Sequence, residues 1–222
     1  MKKIIFTLVL VSFGMMSQAQ IFVGGQLGFT SDKTKDVEKT SMLTIAPMVG
    51  YQLSDKLAAG VRLNFTSVKG VQFKFMGSDD DLIIKAPLFG AELFAQYTFL
   101  SFGKFSVYAD AGIGFGAGKG KVEFGDTKED QSKVSIFGIN VVPVLAYNLS
   151  EKITLLANLN FLELGFMSTT EKDLTVDPET KTTTTHFGLG VNTNNVASTG
   201  LSLDPDGNQI GSPITIGFIY KF

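Results

Sequence analysis

Acid–base chemistry would have to centre on His186, because the chain of 222 residues contains one histidine and no cysteine. A histidine with a carboxylate or a hydroxyl beside it can act as a general base. Asp173, Asp177 and the threonines at 182–185 are close enough in sequence to supply such partners. No spacing among them demands a catalytic arrangement. We therefore interpret His186 as a solvated loop residue and predict no enzyme and no catalytic residue.

Metal and cofactor chemistry has equally little support in the sequence. The run of Asp79, Asp80 and Asp81 could attract Ca²⁺, but such a run is more often the solvated tip of a loop. Residues 204–208 (DPDGN) resemble part of a calcium loop, yet they also form an ordinary turn signal and lack the closing glutamate of an EF-hand. The glycines within 112–116 alternate with larger residues and form no phosphate-binding loop. We predict no metal site and no cofactor.

Three charged residues, Arg62, Glu92 and Asp110, are the most informative about the interior of the predicted structure. Each stands in a segment in which every second residue is apolar, and each occupies the other parity. At that parity the side chain faces an enclosed interior, where a charge must be paired or hydrated. We predict that the three form a structural cluster that closes the interior. The alternative is a selective pore lined by the same charges.

The elements that must position these charges are β-strands, because the dominant period from residue 21 onward is two. In residues 105–116 the odd positions are apolar and the even positions are small or polar, and residues 57–66 repeat the pattern. Short connections at 54–56, 101–104 and 150–152 alternate with long polar ones at 30–41, 77–81, 118–133 and 168–185. The sequence therefore predicts an all-β, antiparallel up-and-down barrel with its short turns at one end and its long loops at the other.

The strand count is predicted as about eight, with ten as the alternative. The last strand is ambiguous, because a polar stretch at 192–212 separates residues 187–191 from residue 214. That stretch is either an excursion within strand eight or part of a further hairpin. The predicted strands are 21–29, 42–53, 57–75, 82–99, 105–118, 134–149, 153–166 and one that ends at 222.

Neither face of these strands has the lysine and glutamate density of a water-soluble sheet. One face is almost wholly apolar and is expected to meet lipid. Aromatic residues crowd the ends next to the short turns, and a second group lies about 8–10 residues away, as in barrels that cross a membrane. The other face, predicted to line the interior, carries small or polar residues: Gln26, Arg62, Asn64, Glu92, Gln96, Asp110, Asn140, Asn158 and Asn160.

The N-terminus is predicted to be a signal peptide at 1–19, followed by one barrel domain at 20–222. Lys2 and Lys3 precede an apolar run at 4–16, and residues 17–19 (SQA) provide small residues for cleavage after Ala19. Without a cysteine a lipid anchor is not expected. Loss of the two lysines changes the formal charge from −2 to about −4, which gives no case for nucleic-acid binding.

Three segments carry a resemblance to a known family: residues 18–20 (QAQ), 47–57 (PMVGYQLSDKL) and 217–222 (GFIYKF). They resemble the outer membrane protein β-barrel domain family, small bacterial barrels similar in fold to OmpA and OmpX. The resemblance covers essentially the whole mature chain and brings no catalytic fingerprint. It implies the outer membrane of a Gram-negative bacterium, with outer-membrane lipids, lipopolysaccharide and the barrel assembly machinery as partners. The alternation of Phe218, Tyr220 and Phe222 looks like the C-terminal signal that this machinery reads.

Function is predicted at the level of class. The first hypothesis is a monomeric barrel with a structural, adhesive or surface-interaction role, which contacts an unknown ligand through its long loops. The second is a narrow channel or a transporter of small hydrophobic molecules. A barrel enzyme is the distant third. Conductance separates the first two hypotheses, and lipase, acyltransferase and protease assays test the third.

Overall fold

A computed structural model describes residues 20–32, 40–74, 81–124, 127–175, 180–189 and 214–222. The predicted signal peptide at 1–19 lies outside these residues. So do Asp79, Asp80, Asp177, the segment 204–208 and the whole stretch 192–212.

The described chain forms ten antiparallel strands and one short 3-10 turn at Asn160–Leu162. The strands are β1 (Ile21–Asp32), β2 (Thr40–Gln52), β3 (Leu57–Lys74), β4 (Asp81–Phe102), β5 (Phe105–Phe124), β6 (Thr127–Asn148), β7 (Ile153–Leu159), β8 (Leu164–Asp173), β9 (Lys181–Leu189) and β10 (Ile214–Lys221).

Eight of the ten strands close into a ring in the order β1-β2-β3-β4-β5-β6-β7-β10. Pairing of β1 with β10 completes the circle. The prediction of an all-β antiparallel up-and-down barrel is confirmed, and the two counts weighed from the sequence are reconciled, since ten strands form a ring of eight.

The two additional strands arise from interruptions at one height of the wall. The predicted strand 153–166 is divided by the 3-10 turn, because Leu159 leaves the extended conformation (φ −92°, ψ 73°) in a segment with two strand-disfavouring asparagines, Asn158 and Asn160. β7 and β8 therefore both pair with β6. The eighth predicted strand is also divided into two: β9 pairs with β8, and β10 pairs with β7. Residues 190–213 separate its two parts.

The end of the barrel with turns at 53–56, 103–104 and 149–152 is called the short-turn end, and the opposite end the long-connection end. Ser54 Oγ accepts a hydrogen bond from the Leu57 amide at 3.2 Å, and Ser150 Oγ accepts one from the Ile153 amide at 3.1 Å. The third turn uses Gly103 at φ 59°, a conformation that favours glycine. All three turns lie where the short connections were predicted.

At the long-connection end the strands extend further than the sequence indicated. The polar stretch 118–133 was predicted as a loop, but β5 continues to Phe124 and β6 begins at Thr127. Backbone pairing needs no apolar face, and ion pairs join the strands here: Lys119 with Asp130, and Lys85 with Glu123 at 2.6 Å. The polar residues of the stretch thus belong to a paired β-ribbon instead of an irregular loop.

The wall presents large apolar side chains outward, as predicted. Leu27, Phe115 and Ile216 are 59%, 67% and 66% exposed although each lies in the middle of a strand. Aromatic rings form contacts at two heights. The ring centres of Phe105 and Tyr147 lie 4.8 Å apart by the short-turn end, and those of Phe65 and Phe89 lie 5.0 Å apart nearer the other end. In the part of the chain described, no helix has the length and apolar character needed to span a membrane.

Three prolines coincide with gaps in the strand ladders, as expected for residues without an amide donor. The β2–β3 pairing skips from Ile45 to Met48 around Pro47. The β4–β5 pairing skips from Lys85 to Leu88 around Pro87. On β6, Pro143 lies between the residues paired with β8 and those paired with β7. Each proline is thus paired with the strand on one side, and the ladder of paired residues toward the strand on its other side has a gap.

Candidate functional site

The interior of the barrel is built in three layers. A lower apolar layer lies toward the short-turn end and consists of Phe22, Met48, Ala58, Phe94, Tyr108, Val144, Ala146, Leu156 and Ile219. An upper apolar layer consists of Met42, Val68, Ala86, Leu88, Val134, Ile136 and Met167. Between them buried polar side chains form a middle layer, which includes Gln26, Thr44, Arg62, Asn64, Thr66, Glu92, Gln96, Asp110, Asn140, Asn158 and Asn160.

The middle layer brings Arg62, Glu92 and Asp110 together, and we call these three residues the charge cluster. Arg62 on β3 lies directly opposite Glu92 on β4. Arg62 Nη1 donates to Glu92 Oε1 at 2.6 Å, and Nη2 donates to Asp110 Oδ2 at 2.6 Å. One guanidinium therefore joins three adjacent strands, because Asp110 belongs to β5.

Neighbouring side-chain amides donate further hydrogen bonds to the two carboxylates. Gln96 Nε2 donates to Asp110 Oδ2 at 2.9 Å, and Asn64 Nδ2 donates to Glu92 Oε2 at 3.4 Å. The guanidinium carbon of Arg62 lies 4.8 Å from the centre of the Phe94 ring. Arg62 is 1% exposed, so the carboxylates and the ring replace water around its charge.

A glycine leaves room for one of the carboxylates. Gly112 on β5 faces the interior, and a methyl group there would lie 2.8 Å from Glu92 Cδ and would overlap Glu92 Oε1 and Asn140 Oδ1. The alternation of glycines in β5 therefore provides space for the charge cluster. This is a steric role, and it is unrelated to phosphate binding.

The cluster holds one positive and two negative charges, so its chemical capacity is ion pairing and hydrogen bonding. Among the residues that the structure describes, no three histidine or acidic side chains lie close enough to hold a metal ion. Within the same residues, the side-chain hydrogen bonds of the cluster join guanidinium and amide donors to carboxylates, and none pairs a hydroxyl nucleophile with a base. What the arrangement can do is fix three strands to one another and fill the lumen.

His186 is not brought to its candidate partner Asp173. His186 lies on β9 opposite Met167, whereas Asp173 is the last residue of β8, at the turn end of the β8–β9 hairpin, where its amide donates to the Thr180 carbonyl. Six residues of strand separate the two, or about 20 Å. Asp173 instead accepts hydrogen bonds from Thr175 at 2.8 and 2.7 Å, which lower the pKa of its carboxyl.

The three C-terminal aromatic residues lie at the seam of the barrel. Phe218 pairs with Gly25 and Tyr220 with Val23, so β10 joins the N-terminal strand. The Phe222 amide donates to the Ile21 carbonyl at 3.2 Å, and its ring lies 5.2 Å from that of Tyr220. Their interpretation as an assembly signal stays a prediction.

Two cavities adjoin the three layers. A vestibule of about 330 Å³ opens at the short-turn end, where Phe22 and Tyr108 of the lower layer are among its lining residues. A second cavity of about 20 Å³, the size of one water molecule, lies beside Asn64 and Glu92. Sequence reasoning did not anticipate that apolar layers lie on both sides of the charge cluster. The signal was available in Phe94 and Tyr108, large apolar residues at the interior parity.

Comparisons with known proteins extend this description. The model of the family described as outer membrane protein beta-barrel domain matches residues 5–194. No curated protein matches the chain in sequence.

Three solved structures are similar in outline. A major outer membrane protein from Thermus thermophilus is 15% identical, with 92% of this chain and 100% of that chain covered and a TM-score of 0.45. Neisserial surface protein A is 14% identical, with 92% and 96% covered and a TM-score of 0.37. Ail, the attachment invasion locus protein of Yersinia pestis, is 14% identical, with 92% and 97% covered and a TM-score of 0.35.

Proposed function

The chain belongs to the outer membrane protein β-barrel domain family, and from that premise we propose a closed integral barrel that acts through its surface in a structural or adhesive role. The barrel resides in the outer membrane of a Gram-negative bacterium after export and removal of residues 1–19. Its long-connection end faces the cell exterior, as in other outer-membrane barrels. It functions as a monomer that the barrel assembly machinery inserts.

The observation that carries this proposal is the burial of Arg62, which is 1% exposed, between two carboxylates inside the lumen. Its guanidinium contacts Glu92 and Asp110 at 2.6 Å each, so one side chain from β3 ties the carboxylates of β4 and β5. Separating a buried ion pair leaves a charge without compensation, at a cost of about 3–5 kcal/mol. An ion that crossed the lumen at this height would have to displace the pair. The charge cluster therefore favours a plugged lumen, and not an open pore.

The two apolar layers support the same conclusion. Above the charge cluster Met42, Leu88 and Met167 are buried, and below it Phe22, Phe94 and Leu156 are buried. A hydrated ion loses much of its hydration free energy on entering either layer. A closed lumen leaves the outward surface and the exposed strand ends as the parts of the molecule available for interaction.

The long-connection end offers a large contact surface. The β5–β6 ribbon continues nine residues beyond Phe115, or about 30 Å along the strand. On β9 the threonines at 182–185 are all exposed. Extended ribbons with exposed polar side chains suit the recognition of surface partners, and they are unlike the long irregular loops expected from the sequence.

The test is conductance of the purified barrel in a planar bilayer. The closed barrel is expected to give no unitary conductance steps, while the same sample shows the gel shift of a folded barrel when unboiled. Steady single-channel currents from unmodified protein would contradict the proposal. Cell-surface binding is then measured on intact cells with and without the protein. Cells that lack the protein are expected to bind less.

A second candidate, a transporter of small hydrophobic molecules, has one observation in its favour. In the part of the chain that the structure describes, β9 pairs only with β8, and residues 28–32 of β1 pair only with β2. Phe187 and Leu189 on β9 are each 76% exposed. Uptake of a fluorescent fatty acid into cells with and without the protein separates this candidate from the surface role.

A further inference from the structure

Lysines form a belt on the outer surface, just beyond the aromatic contacts of the long-connection end. Strand alternation places them on the same face as the outward rings of Phe65 and Phe89, and Lys69 and Lys85 lie four residues from these two rings on the side of the long connections. We call this set the lysine belt; it comprises Lys69, Lys85, Lys119, Lys121, Lys133, Lys172 and Lys181.

The belt places like charges directly opposite one another. Lys85 pairs across the sheet with Lys69 on one side and with Lys121 on the other. Lys133 pairs with Lys119 and with Lys172. Directly opposed like charges destabilise a sheet. A surface of this kind is therefore expected to be occupied by anions.

Carboxylates of the chain neutralise part of the belt. Glu123 accepts from Lys85 at 2.6 Å, and Asp130 accepts from Lys119 and lies 3.8 Å from Lys121. Among the described residues, neither Lys69 nor Lys133 forms an ion pair. Within the described residues, the carboxylates that pair with the belt are thus fewer than its lysines.

An apolar groove lies next to the belt on β2–β5. Its volume is about 430 Å³, and its lining is almost wholly apolar. The groove is lined on the outer face by Leu43, Ile45, Phe65, Pro87, Phe89 and Ala117. It lies at the proline-induced gap in the β4–β5 ladder.

The lysines and the groove have a fixed geometric relation. Lys85 and Lys119 lie two residues beyond Pro87 and Ala117 on the same face of the same strands, or about 7 Å along the strand. Lys69 stands directly opposite Lys85. Three ammonium groups therefore border one end of an apolar depression in a wall that faces lipid. That combination complements an anionic headgroup joined to an acyl chain.

We propose that this face binds one phosphorylated, acylated glycolipid of the outer leaflet, of the lipopolysaccharide type. Lys69, Lys85 and Lys119 contact its phosphate, and one acyl chain occupies the groove between Phe65, Phe89 and Ala117. The proposal rests on the proposed function for the orientation of the barrel, because the belt lies at the level of the outer leaflet only if the long-connection end faces the cell exterior.

The test uses purified barrel in phosphatidylcholine nanodiscs and purified lipopolysaccharide as the probe. Retention of the glycolipid is measured by native mass spectrometry and by titration. The variant K69Q/K85Q/K119Q is expected to bind roughly tenfold to hundredfold more weakly, since each lysine near an anionic lipid surface contributes roughly fivefold and Glu123 and Asp130 already offset part of the charge. The matched control K56Q/K104Q/K152Q removes the same charge at the short-turn end and should bind normally.

A second variant tests the groove independently. A117W places a large ring on the lipid-facing floor of the groove, where folding has no need of the small side chain, and should weaken retention about tenfold. Equal binding by the unmodified protein and by both variants would overturn the proposal. Equally tight binding of the dephosphorylated glycolipid would overturn the phosphate contact, and displacement by an equal amount of phosphatidylglycerol would overturn the choice of a glycolipid.

The gel shift and the absence of conductance are recorded on the same samples. Neither depends on the three lysines, so a closed, folded barrel that fails to bind the glycolipid contradicts the lipid site alone. Conversely, a conducting barrel that still binds it contradicts the closed lumen alone.

Discussion

Arg62 and Glu92 are direct cross-strand neighbours inside the barrel, with Nη1 of the arginine 2.6 Å from Oε1 of the glutamate. The same guanidinium contacts Asp110 at 2.6 Å through its other terminal nitrogen. Because both contacts are buried, the stability of the β3–β4–β5 wall depends on all three partners at once.

The first prediction concerns the coupling of this pair. Arg62→Ala is expected to lower the free energy of unfolding by about 3–5 kcal/mol, because it leaves two buried carboxylates without a cation. Adding Glu92→Ala should cost little more or restore part of the loss, with a coupling of about 1–3 kcal/mol. Urea unfolding of the barrel in detergent micelles measures both. Simple additivity of the two single changes would show that the residues are not coupled.

The second prediction concerns the space that Gly112 leaves. Gly112→Ala should destabilise the barrel by about 1–3 kcal/mol, since the added methyl group overlaps the Glu92 and Asn140 side chains. Gly25→Ala is the matched control, because a methyl group there meets its nearest atom, the Ala46 carbonyl oxygen, at an ordinary 3.5 Å. The two variants are compared by unfolding in urea. Equal destabilisation by both variants would mean that overlap with the charge cluster is not the cause.

The third prediction concerns pH and the β5–β6 ribbon. Hydrogen bonds from Lys85 and Lys119 hold the pKa values of Glu123 and Asp130 below their usual range. A carboxyl whose pKa is lowered on folding stabilises the fold above its unfolded pKa, and that contribution is lost as the pH falls through the lowered folded value. NMR order parameters of the ribbon should therefore stay constant from neutral pH to about 5 and fall at more acidic pH. Glu123→Gln should flatten the profile, and an unchanged profile would argue against the ion pair.

The fourth prediction concerns insertion. Phe222→Asp is expected to reduce the amount of folded barrel in the outer membrane while export continues, because an acidic side chain replaces the aromatic residue that follows β10 at the seam with β1. Phe222→Tyr keeps the ring and should insert normally. Membrane fractionation with unboiled gels measures both. If the aspartate variant inserts as well as the tyrosine variant, the assembly signal lies elsewhere in the chain.

The alternation of residue types predicts much of this architecture. A period of two decides which residues face inward, so Arg62, Glu92 and Asp110 could be placed in one interior before any coordinates. What the pattern does not contain is the pairing register that brings Arg62 opposite Glu92, since register depends on turn geometry and on bulges such as the one near Val71.

Two further features escaped prediction for separate physical reasons. In the β5–β6 ribbon beyond Gly118 the outward positions are charged and the inward positions of β5 begin with glycines, so the apolar face by which period-two reasoning identifies a strand is missing over most of the segment. The 3-10 turn at Asn160–Leu162 shifts the alternation by one residue, because Phe161 and Leu162 are both exposed and Glu163 is buried. The adjacent apolar pair and the low strand propensity of Asn158 and Asn160 signalled the turn, but a strand read as one continuous segment passes over both.

The pairing of β1 with β10 has a consequence for the order of folding. Most strand pairs of the ring are hairpins between neighbours in sequence, whereas this pair joins the two ends of the barrel domain. Closing a loop on the order of 50 times longer than a hairpin turn adds about 3 kcal/mol of chain entropy. Closure of the ring is therefore expected to be late and slow. Until it occurs, the edges of β1 and β10 stay unpaired and open to pairing with another chain, so a helper that holds one edge would protect the barrel at this step.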